Sequence, residues 1–259
     1  MKITEQLYVI PIEIELSHGK ATLYPTLVKD ESNTVLIDTG FDTQESYEAL
    51  EKGLHSLGFA FNDIDTIILT HQDLDHIGGL HHIIETGEKS VEVYFHEEEL
   101  PYIDGKKPLI KGPKDKMPSL IDHIKKKLKH HNKEDSYLKE WKDVKVIRLL
   151  RDGDLLPLAD GIQVIHMPGH TPGNICLYHP ISNTLIAGDS LNCEDQSLYG
   201  PNPVFTPEMD QAYMSLKKLL KFDIQRVICY HGGIFEGEGK SCIEKIIQDY
   251  ENKKENQSE

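Results

Sequence analysis

Apolar and polar positions along this 259-residue chain follow two rhythms. Residues 7–16, 22–28 and 34–37 form short blocks rich in Leu, Ile, Val and Tyr, which predicts three early strands. Over 44–57 the apolar positions Leu50, Leu54 and Leu57 return on one helical face, which predicts a helix. A further apolar run occupies 64–69. In the second half, strands are predicted at 144–149, 163–165, 175–178, 184–187 and 227–230, with helices at 209–220 and 242–250. The polar stretch 251–259 is expected to fray. No internal repeat is evident, and strand series alternating with helices indicate an α/β protein.

Between the two strand series lies a stretch of different character, residues 97–146. Ile121, Ile124, Leu128 and Leu138 can form an apolar stripe, with Trp141 and several lysines around it, so the stretch is expected to be a mostly helical cap. Lysines crowd 106–145, most densely at Ile124-Lys125-Lys126-Lys127-Leu128-Lys129-His130-His131. Two readings of them stand: a solvated helix face, or a cationic surface that draws an anionic substrate.

The chemistry concentrates directly after the run at 64–69. Leu69-Thr70-His71-Gln72-Asp73-Leu74-Asp75-His76-Ile77-Gly78-Gly79 brings two imidazoles and two carboxylates together at positions 71, 73, 75 and 76. That spacing matches neither strand alternation nor a helical stripe, so a loop leaving a strand is expected. Imidazole nitrogens and carboxylate oxygens are donors that zinc and similar divalent ions accept. Three more candidates each follow a predicted strand. His170 lies in His166-Met167-Pro168-Gly169-His170-Thr171-Pro172-Gly173-Asn174, Asp189 ends Ile186-Ala187-Gly188-Asp189, and His231 precedes Gly232-Gly233. A rigid sheet can hold such residues in fixed geometry.

Taken together, these motifs resemble the metallo-β-lactamase superfamily, whose His-x-His-x-Asp-His signature appears here with Asp73 in place of the second histidine. Val35-Leu36-Ile37-Asp38-Thr39-Gly40 also resembles the family's early strand and turn, and the likeness runs along nearly the whole chain. It implies a single domain, 1–259, folded as a four-layer αββα sandwich. It implies two divalent metal ions, one held by His71, Asp73 and His170, the other by Asp75, His76 and His231, with Asp189 between them. Asp38 would orient a ligating histidine by accepting its other ring N–H; as a residue alone it also reads as a turn cap.

The implied activity is hydrolysis by a metal-bridged hydroxide, which two ions produce by lowering the pKa of a shared water from about 16 toward about 7. Asp75 would act catalytically, steering that water or a proton. Zinc is the expected ion, and the carboxylate of Asp73 moves preference toward manganese or iron. The stretch 166–173 resembles glyoxalase II and lactonase relatives, which suggests a small ester, lactone or thioester. Against a lactonase of the homoserine type, Ser190-Leu191-Asn192-Cys193 follows Asp189 without a tyrosine; Tyr102, Tyr199 and Tyr230 are the tyrosines considered in its place. A phosphodiesterase and a non-catalytic metal-binding scaffold are the alternatives.

Composition narrows the partners. The formal charge of −15, from 28 Lys and Arg against 43 Asp and Glu, argues against general nucleic-acid binding and leaves a small molecule as the expected partner. No apolar run reaches the roughly 18 residues of a membrane span. The first residues lack a basic-then-apolar leader, so a cytoplasmic location is expected. Cys176, Cys193, Cys229 and Cys242 show no paired spacing and read as reduced thiols; Cys193, near Asp189, is also a candidate ligand or redox handle. Nothing in the chain marks an oligomeric face.

Overall fold

A computed structural model describes residues 1–16, 19–86, 91–112 and 144–258. The chain forms two compact units, residues 1–150 and 151–259.

The first unit is built on a six-stranded sheet. Its order is β1 (Leu7–Val9), β4 (Thr26–Lys29), β5 (Thr34–Ile37), β6 (Thr66–Ile68), β7 (Val91–His96) and β8 (Val144–Leu150). The first two pairings are antiparallel, and β5, β6, β7 and β8 run parallel. All residues of β5 and β6 are buried, as continuous apolar strands inside a parallel sheet should be. Helix α1 (Gln44–Ser56) begins at Thr43, whose side chain accepts from the Ser46 N–H, and buries Leu50 and Leu54. Two short helices, α2 (Leu74–Ile77) and α3 (Leu80–Thr86), follow β6.

Prolines alter the early strands. In place of continuous strands at 7–16 and 22–28, Pro11 separates β1 from β2 (Ile12–Leu16), and Pro25 separates β3 (Gly19–Leu23) from β4. Proline has no N–H for a ladder, so each strand breaks there. The result is a two-stranded β2–β3 ribbon leaving the main sheet, fastened at its base by the Ile10 N–H donating to Pro25 O at 2.9 Å.

Of the expected cap, residues 97–112 begin with a turn of 3-10 helix, Glu97–Glu99, and α4 (Leu100–Ile103). Ile121, Ile124, Leu128, Leu138, Trp141 and the dense lysine run lie outside the described residues.

The second unit has its own six-stranded sheet, in the order β16 (Gly233–Glu236), β15 (Arg226–Cys229), β12 (Thr184–Ile186), β11 (Ile175–His179), β10 (Ile162–His166) and β9 (Leu155–Leu156). A hairpin, β13 (Asn192–Glu194) and β14 (Ser197–Tyr199), stands apart from it. Helix α5 (Met209–Leu216) runs into a 3-10 turn, Lys217–Lys221. Leu216, Leu219, Ile243 and Ile247 pack with Ile165, Leu185, Val227 and Cys229 in one buried cluster. Each such side chain contributes roughly 1.5–3 kcal/mol by leaving water.

The last helix, α6 (Gly239–Ser258), includes most of the stretch expected to fray. Ion pairs from Lys217 to Glu251 at 2.6 Å and from Lys254 to Asp210 at 2.5 Å tie that stretch to the helix and turn before it. Among the described residues, no helix is long and apolar enough to cross a membrane.

Candidate metal centre

In the first unit the candidates gather at the C-terminal ends of two adjacent parallel strands, the edge where α/β sheets commonly hold ligands. Asp38 follows β5 at once, and its N–H donates to Ile68 O at 2.9 Å, fixing the two strand ends together. His71 and Asp73 lie on the loop after β6. Asp75 and His76, expected on the same loop, sit instead in the one-turn helix α2, a segment too short for its periodicity to show in the sequence.

Asp38 is the hub of this edge. It is 1 % exposed, with φ of 60°, a backbone region that few residues other than glycine enter without strain. Its carboxylate accepts from the Thr70 N–H and the Thr70 hydroxyl, both at 2.8 Å, and faces His76 Nδ1 at 2.9 Å. A carboxylate can only accept, so His76 carries its proton on Nδ1 and presents Nε2 as the donor atom. Thr70 has one hydroxyl proton, committed to Asp38. Its oxygen therefore accepts from His71 Nδ1 at 3.1 Å, which leaves His71 Nε2 as the ligating nitrogen too. Of the two readings of Asp38, the geometry selects the one that orients a histidine.

His71 Nε2 lies 3.3 Å from Asp73 Oδ2, and His76 Nε2 lies 3.7 Å from Asp75 Oδ2. Asp73 also meets Lys111, whose ammonium is 2.5 Å from the same oxygen. Lys111 is positioned by the preceding residue: the Ile110 N–H donates to Gln72 Oε1 at 2.9 Å, and Gln72 Nε2 donates to Glu99 at 2.8 Å. A lysine thus offsets the charge that a carboxylate, standing where the family signature has an imidazole, adds at position 73.

The second unit arranges its candidates by a different route. β10 and β12 are each antiparallel to β11, and β12 is parallel to β15, so all three carriers end on one edge of the sheet. His170, Asp189 and His231 stand on the turns just beyond. His170 Nε2 is 3.3 Å and His231 Nε2 3.4 Å from the same atom, Asp189 Oδ2. His170 Nδ1 pairs with the Thr206 hydroxyl at 3.2 Å. Asn174, fully buried, links two of the turns by donating from Nδ2 to Met167 O at 3.0 Å and to Ser190 Oγ at 2.8 Å. The third turn needs Gly232, because a Cβ there would stand 1.5 Å from Cys193 O.

These separations fit a divalent ion. Two donors bound about 2.0–2.1 Å from one ion at a tetrahedral angle stand about 3.3–3.4 Å apart, whereas a good N–H···O bond is nearer about 2.9 Å. His71 with Asp73, and Asp189 with each of its two histidines, match the first figure. The donor set of imidazoles and carboxylates suits the same ions.

The thiols have another role. Burial pushes Cys176 up to about 12, Cys229 well above its ordinary value, and Cys193 upward. All three belong to the apolar cluster of the second unit. Cys193 packs in that cluster as a small hydrophobe, and among the described residues it belongs to none of the groups whose donor atoms lie close enough to share an ion. Tyr230 is buried edge-on to His231, Tyr199 is half exposed, and Tyr102 lies under Lys107.

Thr70, Asn174, Thr206 and Lys111 were not singled out from the sequence. Thr70 and Asn174 lie inside the two histidine motifs, so proximity was a usable signal. Nothing local marks Thr206 or Lys111, which reach their partners through the fold.

Comparison with known proteins agrees with this picture. The metallo-β-lactamase superfamily model matches residues 24–231. YflN, a probable metallo-hydrolase of Bacillus subtilis strain 168, is 29% identical over 209 residues, spanning 76% of this chain and 75% of that protein. The crystal structure of a metallo-β-lactamase family protein from Thermus thermophilus superposes with a TM-score of 0.68 at 25% identity, covering 97% of this chain and 81% of that one. A 47-residue stretch is 45% identical to the chicken acyl-coenzyme A thioesterase MBLAC2, 18% of this chain and 17% of that protein.

Proposed function

Because the chain belongs to the metallo-β-lactamase superfamily and has its α/β fold, we propose that it is a dinuclear metal-dependent hydrolase of a small ester, lactone or thioester. The observation that carries the reading is the convergence of His170 and His231 on a single oxygen of Asp189, the residue that the family resemblance makes the bridge. In this proposal His71, Asp73 and His170 hold one ion, Asp75, His76 and His231 the other, and zinc is the first expectation, ahead of manganese and iron.

When bound, such ions supply an acidified water and a positive field for the oxyanion of the transition state. The residues of the chain do the rest. Asp38 and Thr70 keep the protons of His71 and His76 on Nδ1, which holds each Nε2 in its donor form. Asp75, 18 % exposed at its side chain, is the carboxylate proposed to take the proton released from the attacking water. Lys111 holds the Asp73 oxygen in place and reduces its charge.

The acyl reading draws support from the stretch shared with a thioesterase and from the resemblance of 166–173 to glyoxalase II and lactonase relatives. The proposed partner is a small molecule; an anionic one would suit the lysine-rich stretch 106–145.

Metal content by mass spectrometry on protein purified without added metal tests the centre. About two equivalents of zinc, manganese or iron, falling in His170→Ala, are expected; folded protein that holds none and takes up none on titration refutes it. A panel of thioesters, lactones and bis-p-nitrophenyl phosphate then tests the substrate class. Turnover confined to the phosphodiester would replace the acyl reading. Metal without turnover on any class would leave the scaffold alternative.

A further inference from the structure

A second convergence of donors exists in the first unit, away from residues 71–76. Asp42 lies on the loop between β5 and α1, and His81 and His82 lie in α3. Asp42 Oδ1 is 3.1 Å from His81 Nε2 and 3.4 Å from His82 Nε2. One ligand atom from each of the three residues lies within 4.8 Å of the others. The spread again brackets the separation of about 3.3 Å expected for donors sharing one ion at a tetrahedral angle.

The backbone builds this juxtaposition. A Cβ at Gly78 would stand 2.3 Å from Asp42 N and 2.4 Å from Leu74 O, so glycine lets the junction of α2 and α3 press onto the 39–42 loop. The Gly79 N–H then donates to Gly40 O at 3.0 Å. His81 is 8 % exposed and His82 25 %, and their rings lie 4.0 Å apart between centroids.

The proton inventory of His81 calls for a positive charge at Nε2, carried by a second proton or by a metal ion. Its Nδ1 faces Gly78 O at 3.0 Å, and a carbonyl oxygen only accepts, so Nδ1 carries a proton. In a neutral ring, Nε2 then directs its lone pair at a carboxylate oxygen 3.1 Å away, an unfavourable contact. A metal ion between the two turns both atoms into ligands, and the nitrogen of His82 becomes a third. We propose that Asp42, His81 and His82 bind a divalent first-row transition ion, separate from the seven candidates of the hydrolytic centre. Two imidazoles and one carboxylate form a three-donor set that suits such ions and leaves coordination positions to water. The site joins the loop that begins with Asp38 to the helix that follows His76. Its ion is a brace across that edge.

Zinc titration of the full-length protein tests this, with bound zinc counted by mass spectrometry after gel filtration. Wild type is expected to retain one equivalent more than His82→Ala or Asp42→Asn, and zinc is expected to raise the melting temperature less in either variant. His170→Ala should keep this extra equivalent, so failure here and failure of the hydrolytic centre give different patterns. Equal zinc in wild type and both variants overturns the proposal. Should a variant not fold, ring nitrogen NMR of wild type decides. A zinc-dependent shift at His81 Nε2 supports the site; an imidazolium indifferent to zinc, paired directly with Asp42, overturns it.

Discussion

The two units hold their candidate ligands in opposite ways. In the first, four candidates sit within six consecutive positions, and the buried carboxylate of Asp38 with one hydroxyl, Thr70, sets the protonation of both histidines. In the second, each candidate stands on its own turn beyond its own strand, and the turns are joined by separate contacts through Asn174, Thr206 and the close pass at Gly232. A compact motif concentrates dependence on one residue. A dispersed one divides it among several.

The largest effect should therefore come from Asp38. Asp38→Ala leaves His76 and both donors of Thr70 without their common acceptor and frees the hydroxyl that orients His71, and a loss of about 3 kcal/mol or more of folding stability is expected. Metal affinity should fall by about a hundredfold, the upper end for removal of a ligand-orienting partner. Denaturant melts and metal titration measure both. An effect no larger than that of the Thr206 change below would erase the contrast.

Asn174→Ala comes next. It removes two buried hydrogen bonds, one inside the His170 turn and one to the Asp189 turn, with an expected cost of about 2 kcal/mol and a drop in metal affinity traceable to His170 and Asp189 rather than His231. Crystallography of the variant would separate the three turns.

Thr206→Val tests the dispersed arrangement at its most local. Only His170 Nδ1 loses a partner, so metal affinity should fall about tenfold while the melting temperature stays within a few degrees. A hundredfold loss would mean that His170 depends on Thr206 as completely as His76 depends on Asp38.

The smallest effect is a pH dependence peculiar to the second unit, the home of all three buried thiols. Their folded-state values are raised by burial, so the stability they contribute is complete below the unfolded thiol value of about 8.5. It is lost as pH rises beyond that point, because the unfolded chain releases thiol protons that the native protein retains until near 12 for Cys176. Alkaline melts of Cys176→Ala should accordingly fall less steeply between about pH 8.5 and about pH 10 than those of wild type, by under about 2 kcal/mol over this span. In native protein at about pH 8, alkylation should find Cys242, the one cysteine outside the buried class, ahead of the others.

The two units also differ in how much of each is legible in the sequence. Strands β5, β10, β11, β12 and β15 announced themselves as short apolar blocks, and the residues just past them drew attention because imidazoles and carboxylates rarely crowd strand ends. Helix α2 did not, since four residues give no period to measure. β16, reading Gly-Ile-Phe-Glu, was obscured by the glycines beside it, which look like turn signals, and the β13–β14 hairpin by its short polar strands. Strand β7, Val-Glu-Val-Tyr-Phe-His, has a readable alternation but is not among the strands predicted from the sequence. The ordered stretch of α6 was hidden because its anchors, Lys217 and Asp210, lie over thirty residues earlier. Local pattern reveals elements; partners brought from far along the chain become visible only in three dimensions.

The break at Pro11 has a consequence for how molecules of this protein meet one another. It confines β1, an edge strand of its sheet, to three residues, and the outward groups of that strand are occupied, with the Ile3 N–H on Leu7 O and the Val9 N–H on Met1 O, each at 2.8 Å. An edge so short and so occupied is a poor template for a strand from a neighbouring copy. An imino acid that is no candidate ligand thereby removes one template for strand addition.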